Sequence, residues 1–129
     1  MNYRLPKSER LYAQKAIKEL FNEGSSFFLY PFKVMYLSKD GEDASSPQVL
    51  FSVSKKKVKR AVGRNRLKRR IREAYRLNKH LLQNPDRSLY LGLIYVSSDD
   101  LSFAEIEKKV KIILEKTSTL ITRTTESHE

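Results

Sequence analysis

Eleven of the eighteen residues from Lys55 to Arg72 are lysine or arginine, and none is acidic. Such a stretch cannot be buried, because an unpaired charge taken out of water is heavily penalised. It is nevertheless interleaved with Val58, Ala61, Val62, Leu67 and Ile71, so one side of it must rest on a core. A helix starting near Val62 and running to about Leu82 meets both demands. At helical spacing it sets Leu67, Ile71, Ala74, Tyr75 and Asn78 along one side at three- and four-residue steps. Asn65, Arg69, Arg72 and Arg76 fall in a stripe on the other side, with Arg66 and Arg70 on one flank and Lys68 and Lys79 on the other. Asn84-Pro85-Asp86 then breaks the helix.

The whole chain holds 26 basic and 15 acidic residues, a net charge of +11. Outside Lys55–Arg72 the two signs balance, so all of the excess lies in this one segment. That concentration builds a local positive potential suited to a polyanion, whereas charge carried for solubility would be spread over the sequence. Arginine predominates in the helix, and its planar fork can hold a phosphate through two hydrogen bonds or lie flat against a base. Arg64 differs from its neighbours, since it projects near the apolar side at the first turn. From there it is placed to reach past the helix start, as are Lys55, Lys56 and Lys57 from the preceding loop. Backbone N–H groups at the helix start add to the attraction for phosphate.

A length of 129 residues suits one domain with one core, here residues 1–121 with a polar tail over 122–129. A first helix is expected over Ser8–Glu23, capped by Ser8 and stopped by Gly24. Phe27–Leu37 turns aromatic and β-branched, with Phe32, Val34 and Tyr36 alternating against Lys33, Met35 and Leu37, and Pro31 marks a strand start or an edge. Residues 39–47 form a loop, and a strand over Gln48–Ser54 puts Val49, Phe51 and Val53 on one face. Ser88–Ser97 is apolar on both alternating faces, as suits a strand covered on both sides. Ser102 and Glu105 have capping-box spacing and open a last helix. The expectation is one α+β domain of about α-β-β-β-α-β-α order, its mixed sheet carrying packed helices.

The chemistry available to the chain is narrow. It has no cysteine, which excludes disulfides, thiol catalysis and cysteine-ligated zinc. Its longest nearly unbroken apolar run, Leu89–Val96, is far short of a membrane span, and the N-terminal residues lack a signal-peptide pattern. A soluble cytoplasmic protein is expected. His80 and His128 do not make a paired acid–base site. Asp40, Glu42 and Asp43, and Asp99 with Asp100, stand in loop and helix-entry settings that favour turn and capping roles over metal binding. No nucleophile elbow is evident. The chain therefore has no complete catalytic site of its own, and no metal site of its own is expected. RNA is the better polyanion, because Phe21, Phe32 and Tyr36 offer rings on which single-stranded bases could stack. Ordinary core packing is the competing reading for all three.

Two runs carry a family likeness: Phe51-Ser-Val-Ser-Lys-Lys-Lys57, and Ala61-Val-Gly-Arg-Asn-Arg-Leu-Lys-Arg-Arg-Ile-Arg-Glu-Ala-Tyr-Arg76. They closely resemble the protein component of bacterial ribonuclease P, whose Arg-Asn-Arg motif falls here on Arg64, Asn65 and Arg66. Lys7, Arg10, Leu11, Leu20, Phe21 and Gly24 fit more loosely. The resemblance implies an accessory subunit of an endoribonuclease that binds the catalytic RNA of ribonuclease P and helps it remove the 5′ leader of precursor tRNA. Cleavage would be carried out by that RNA with Mg2+ bound chiefly to it, and no obligate protein partner is implied. By the resemblance, RNA contacts would fall on Arg64, Asn65, Arg66, Lys68, Arg69, Arg70 and Arg72, and leader contacts on Phe21, Phe32 and Tyr36; the charge pattern adds Lys55, Lys56, Lys57, Arg60 and Arg76 to the expected RNA-binding surface. The resemblance also implies a left-handed β-α-β crossover, against the usual hand. Ile17 stands where many members carry an aromatic, which leaves Phe21 as the ring of the first helix. Two rivals predict different behaviour: a ribosome-associated or general structured-RNA-binding protein, and a metal-dependent nuclease using Asp99 and Asp100.

Overall fold

The computed structural model describes Leu5 and residues 7–39, 47–82 and 88–126. Helix α1 spans Gln14–Glu23, strands β1 and β2 span Ser25–Leu29 and Phe32–Lys39, and strand β3 spans Gln48–Val53. Helix α2 follows over Ala61–Asn78, then strand β4 over Ser88–Tyr95 and helix α3 over Phe103–Glu126. The order is α-β-β-β-α-β-α, as expected. The sheet runs β1-β2-β4-β3, with β1 antiparallel to β2, β2 antiparallel to β4, and β3 parallel to β4. Adjacent parallel strands need a long crossover. Here α2 lies within that connection, so β3, α2 and β4 form the anticipated β-α-β unit.

Helices cover both faces of the sheet. Phe32, Val34, Val49, Val53, Leu89, Leu91, Leu93 and Tyr95 pack with Leu67, Ile71 and Tyr75 of α2 and with Ile106, Val110, Ile113 and Leu114 of α3 in the main core. On the opposite face Met35, with Leu37, Leu50, Tyr90 and Ile94, meets Leu11 and Leu20 from α1 and the segment before it. The double cover explains why β4 is apolar at successive positions. Gly92 lets α1 approach, since a Cβ there would stand 3.3 Å from Leu20 Cδ2.

Several boundaries differ from the sequence expectation; α2 ends at Asn78, short of the expected Leu82, and Lys79–Leu81 form a 3-10 turn. The segment before α1 is not α-helical: Lys7–Glu9 is one 3-10 turn, Arg10 bridges Val49 in parallel, and the Leu11 N–H donates to Val49 O at 2.8 Å. This strap satisfies its backbone on the edge of β3, so the helix begins only at Gln14, after Ala13, with no side-chain cap. Phe27–Leu37 is divided by the turn at Tyr30-Pro31 into two paired strands in the register Phe27↔Val34 and Leu29↔Phe32. The last helix continues to Glu126, beyond the expected boundary at residue 122. Its start is as anticipated, with the Ser102 hydroxyl accepting from the Glu105 N–H at 3.3 Å and donating to Glu105 Oε1 at 3.1 Å.

Candidate nucleic-acid interface

Helix α2 buries Leu67, Ile71, Ala74, Tyr75 and Asn78, the side expected from its periodicity. Asn78 closes that side by donating to Ala74 O at 2.8 Å and to Glu107 Oε2 of α3 at 3.1 Å. Lys79, just beyond the helix, donates to Glu9 Oε1 at 3.0 Å, which pins the strap against α2. With one side fixed, Asn65, Arg66, Arg69 and Arg72 are exposed on the other. A groove of about 700 Å³ runs over this face, lined by Arg66, Arg69, Arg70, Arg72 and Arg76, with Arg10 joining from the strap.

The guanidiniums divide into tethered and unpaired groups. Arg70 donates to Asp100 Oδ1 at 2.8 Å and to Leu101 O at 2.6 Å, and Arg66 lies 3.7 Å from Asp100 Oδ2. Arg76 bonds to Glu73, whose carboxyl is held below its ordinary range by that hydrogen bond. Arg64 turns back, donating to Val58 O at 2.9 Å and Lys59 O at 2.8 Å. It therefore staples the loop before α2 to the first helical turn, and its forward reach is correspondingly reduced. Arg60, Lys68, Arg69 and Arg72 have no ion pair or side-chain hydrogen bond among the described residues. Lys55, Lys56 and Lys57 form an exposed turn at the same end, next to a second hollow of about 640 Å³ that includes Lys57, Lys59, Arg60 and Arg66. Neighbouring carboxylates thus neutralise part of the basic face and leave its centre positive.

Asp99 and Asp100 have structural work. The Tyr30 hydroxyl donates to Asp99, raising the Tyr30 pKa, and Asp100 serves Arg66 and Arg70. Among the described residues, no three or more His, Asp or Glu side chains gather in a metal-binding group. His80 is exposed in a 3-10 turn after α2. His128, Asp40, Glu42 and Asp43 lie outside the described residues.

The three expected stacking rings are not brought together. Phe32 is fully buried, edge-on to Tyr95 at 5.7 Å, and offers no face to a base. Tyr36 is half-buried on the same side, 6.1 Å from Phe27. Strand alternation directs both toward α2 and α3, whereas Phe21 projects from α1 on the opposite face, 47% exposed. The open aromatic surface beside α1 instead includes Phe28, 61% exposed, which pairs across the hairpin with exposed Lys33. Phe28 escaped the sequence reading because Phe27-Phe28 places one ring on each face, and only the hairpin register decides which is covered. Lys33 between apolar neighbours was the available signal that this face is partly open.

Residues 5–118 match the family model described as Ribonuclease P. This chain belongs to the ribonuclease P protein family. The ribonuclease P protein component of Porphyromonas gingivalis is 44% identical over 111 residues, covering 83% of this chain and 81% of that one. That of Clostridioides difficile is 37% identical over 100 residues, covering 78% and 83%. The ribonuclease P protein of Thermotoga maritima has a similar solved structure, with TM-score 0.68, 26% identity and coverage of 84% of this chain and 96% of that chain. The α+β order expected from the sequence pattern and the family expected from the Arg-Asn-Arg run are both borne out. Membership makes the chain a ribonuclease P protein subunit, a component of an endoribonuclease complex with an RNA partner. No described helix is long and apolar enough to cross a membrane.

Proposed function

We propose that this subunit grips the catalytic RNA through the outer face of α2 and the single-stranded 5′ leader of precursor tRNA through the sheet face beside α1. The observation that carries the reading is a packed helix whose outward guanidiniums at Arg69 and Arg72 are exposed and unneutralised among the described residues. Arg66, Arg70 and Arg76 flank them in geometries fixed by Asp100 and Glu73. A preset fork loses less freedom when it meets a phosphate. Lys55, Lys56, Lys57, Arg60, Arg64, Asn65 and Lys68 extend the same surface around the start of α2.

On the other face, Phe21 and Phe28 supply rings and Lys33 a cation for an unpaired strand, a combination that tolerates any base sequence. Leader removal is then the work of the RNA, with Mg2+ supplying the activation of water and the charge stabilisation when bound. In this reading the magnesium belongs chiefly to the RNA, while Asp99 and Asp100 are engaged by Tyr30, Arg66 and Arg70. The protein contributes positive charge that offsets phosphate repulsion, and it holds the leader. On this reading the subunit works with its RNA partners in the cytoplasm.

Leader removal assayed at low magnesium with protein alone, RNA alone and the two together tests the proposal. Activity is expected only where the catalytic RNA is present, and the protein should raise it most at the lowest magnesium. Cleavage by the protein alone would overturn the reading. Equal affinity for the catalytic RNA and unrelated structured RNAs would favour a general RNA-binding role instead.

A further inference from the structure

The strap before α1 builds a second kind of site at the edge of β3. The bridge from Arg10 to Val49 and the hydrogen bond from Leu11 to Val49 O hold this segment on the strand. A hollow of about 290 Å³ results, with Lys7, Arg10, Tyr12 and Arg72 around a floor that includes Val49 and Leu50, and among the described residues no carboxylate lines it. The Tyr12 ring is 64% exposed, and the Lys7 ammonium stands 5.5 Å from its centroid. A cation over one face of the ring leaves the other face for a planar group. Arg10 and Arg72 also line the groove over α2. Leu50, by contrast, packs on the α1 side of the sheet. The hollow therefore connects the two faces around the sheet edge.

We propose that this notch binds one unpaired nucleotide of RNA, its base against Tyr12 and its phosphates on Arg10 and Arg72. The inference rests on the reading of the chain as an RNA-binding subunit and adds a site to it. Exposed aromatic surface, three cations and an apolar floor in one concavity match the parts of a nucleotide: planar base, anionic phosphate and sugar edge. A paired base is already stacked on its neighbours, so the notch selects a nucleotide outside a duplex. That nucleotide could come from the leader or from an unpaired position of the catalytic RNA, and both present the same chemistry.

The test uses the full chain with catalytic RNA alone, and the assembled complex with precursor tRNA carrying either a one-nucleotide leader or one of about eight. Tyr12→Ala and Arg10→Ala should each weaken binding about fivefold or more, while Tyr12→Phe stays within about twofold because the ring remains. A loss seen with catalytic RNA alone assigns the nucleotide to that RNA. A loss seen only with the longer leader assigns it to the leader. Both side chains are exposed, so the variants should fold, which circular dichroism would verify. If both alanine variants bind every RNA as tightly as wild type, or if Tyr12→Phe loses as much as Tyr12→Ala, the notch is refuted. Failure of the wild-type chain to prefer catalytic RNA over an unrelated structured RNA would instead refute the underlying reading.

Discussion

Gly24 ends α1 where the chain passes close to two backbone carbonyls. A Cβ there would lie 2.4 Å from Leu20 O and 3.0 Å from Tyr36 O, and neither oxygen can swing aside as a side chain would. Gly24→Ala should therefore destabilise the protein by about 1–3 kcal/mol, read from the midpoint of urea unfolding. Tyr75 gives a pH-dependent counterpart. Burial, with a smaller effect from the charge of Glu9, raises its phenol pKa well above the ordinary 10.0. In alkali the unfolded chain loses this proton while the folded chain keeps it, so the folded state binds more protons and stability falls as pH rises. The contribution is complete below the unfolded value and declines above about pH 10. Tyr75→Phe should flatten that decline, measured as denaturation midpoints on either side of pH 10. At this scale the sequence was legible for residues whose environment follows from one helix, such as Tyr75 and Asn78. It was not legible for Phe32 or Phe28, because alternation groups residues by face without saying which face is covered.

Helix α2 was readable almost to its ends because its own charges allow only one orientation: eleven cations in and before it cannot be buried, so the apolar stripe must be. Its lateral charge pattern was readable only in part. Asp100 arrives from thirty residues away to hold Arg70 at 2.8 Å, an ion pair that no local spacing reveals. Helix α1 was overextended for a related reason, since the partner of residues 10 and 11 is Val49. The division of α2 into tethered and unpaired arginines has a measurable consequence. Arg69→Ala with Arg72→Ala should weaken RNA binding and reduce the slope of log K against log salt by about 0.7–0.9 for each phosphate that these side chains no longer neutralise. Thermal stability should change little, because neither side chain has a partner among the described residues. Arg70→Ala removes ties to Asp100 and Leu101, so it should lower both affinity and stability. Titrations over a range of salt, run beside thermal melts, separate the two classes.

For the molecule as a whole, the decisive feature is a sheet with a basic helix on one face and an open aromatic surface on the other. The outer side of α2 and the rings beside α1 are separated by the sheet and by the thickness of α2, itself about 10 Å. Sites that far apart with no shared partner normally contribute additively, within about 0.3–0.5 kcal/mol. Arg69→Ala should therefore weaken the catalytic RNA complex whether or not substrate has a leader. Phe28→Ala should weaken only leader-containing substrate, by about 1 kcal/mol. Tyr36→Ala, whose ring packs with Phe27 against the main core, should chiefly cost stability. A double-mutant cycle of Arg69→Ala and Phe28→Ala, read from substrate affinity of the assembled complex, should show a coupling energy near zero. A coupling above about 1 kcal/mol would mean that the two surfaces grip one continuous strand or that the sheet shifts between two arrangements. Repeating the cycle in a Tyr12→Ala background distinguishes these, since only a strand running through the notch would lose its coupling there.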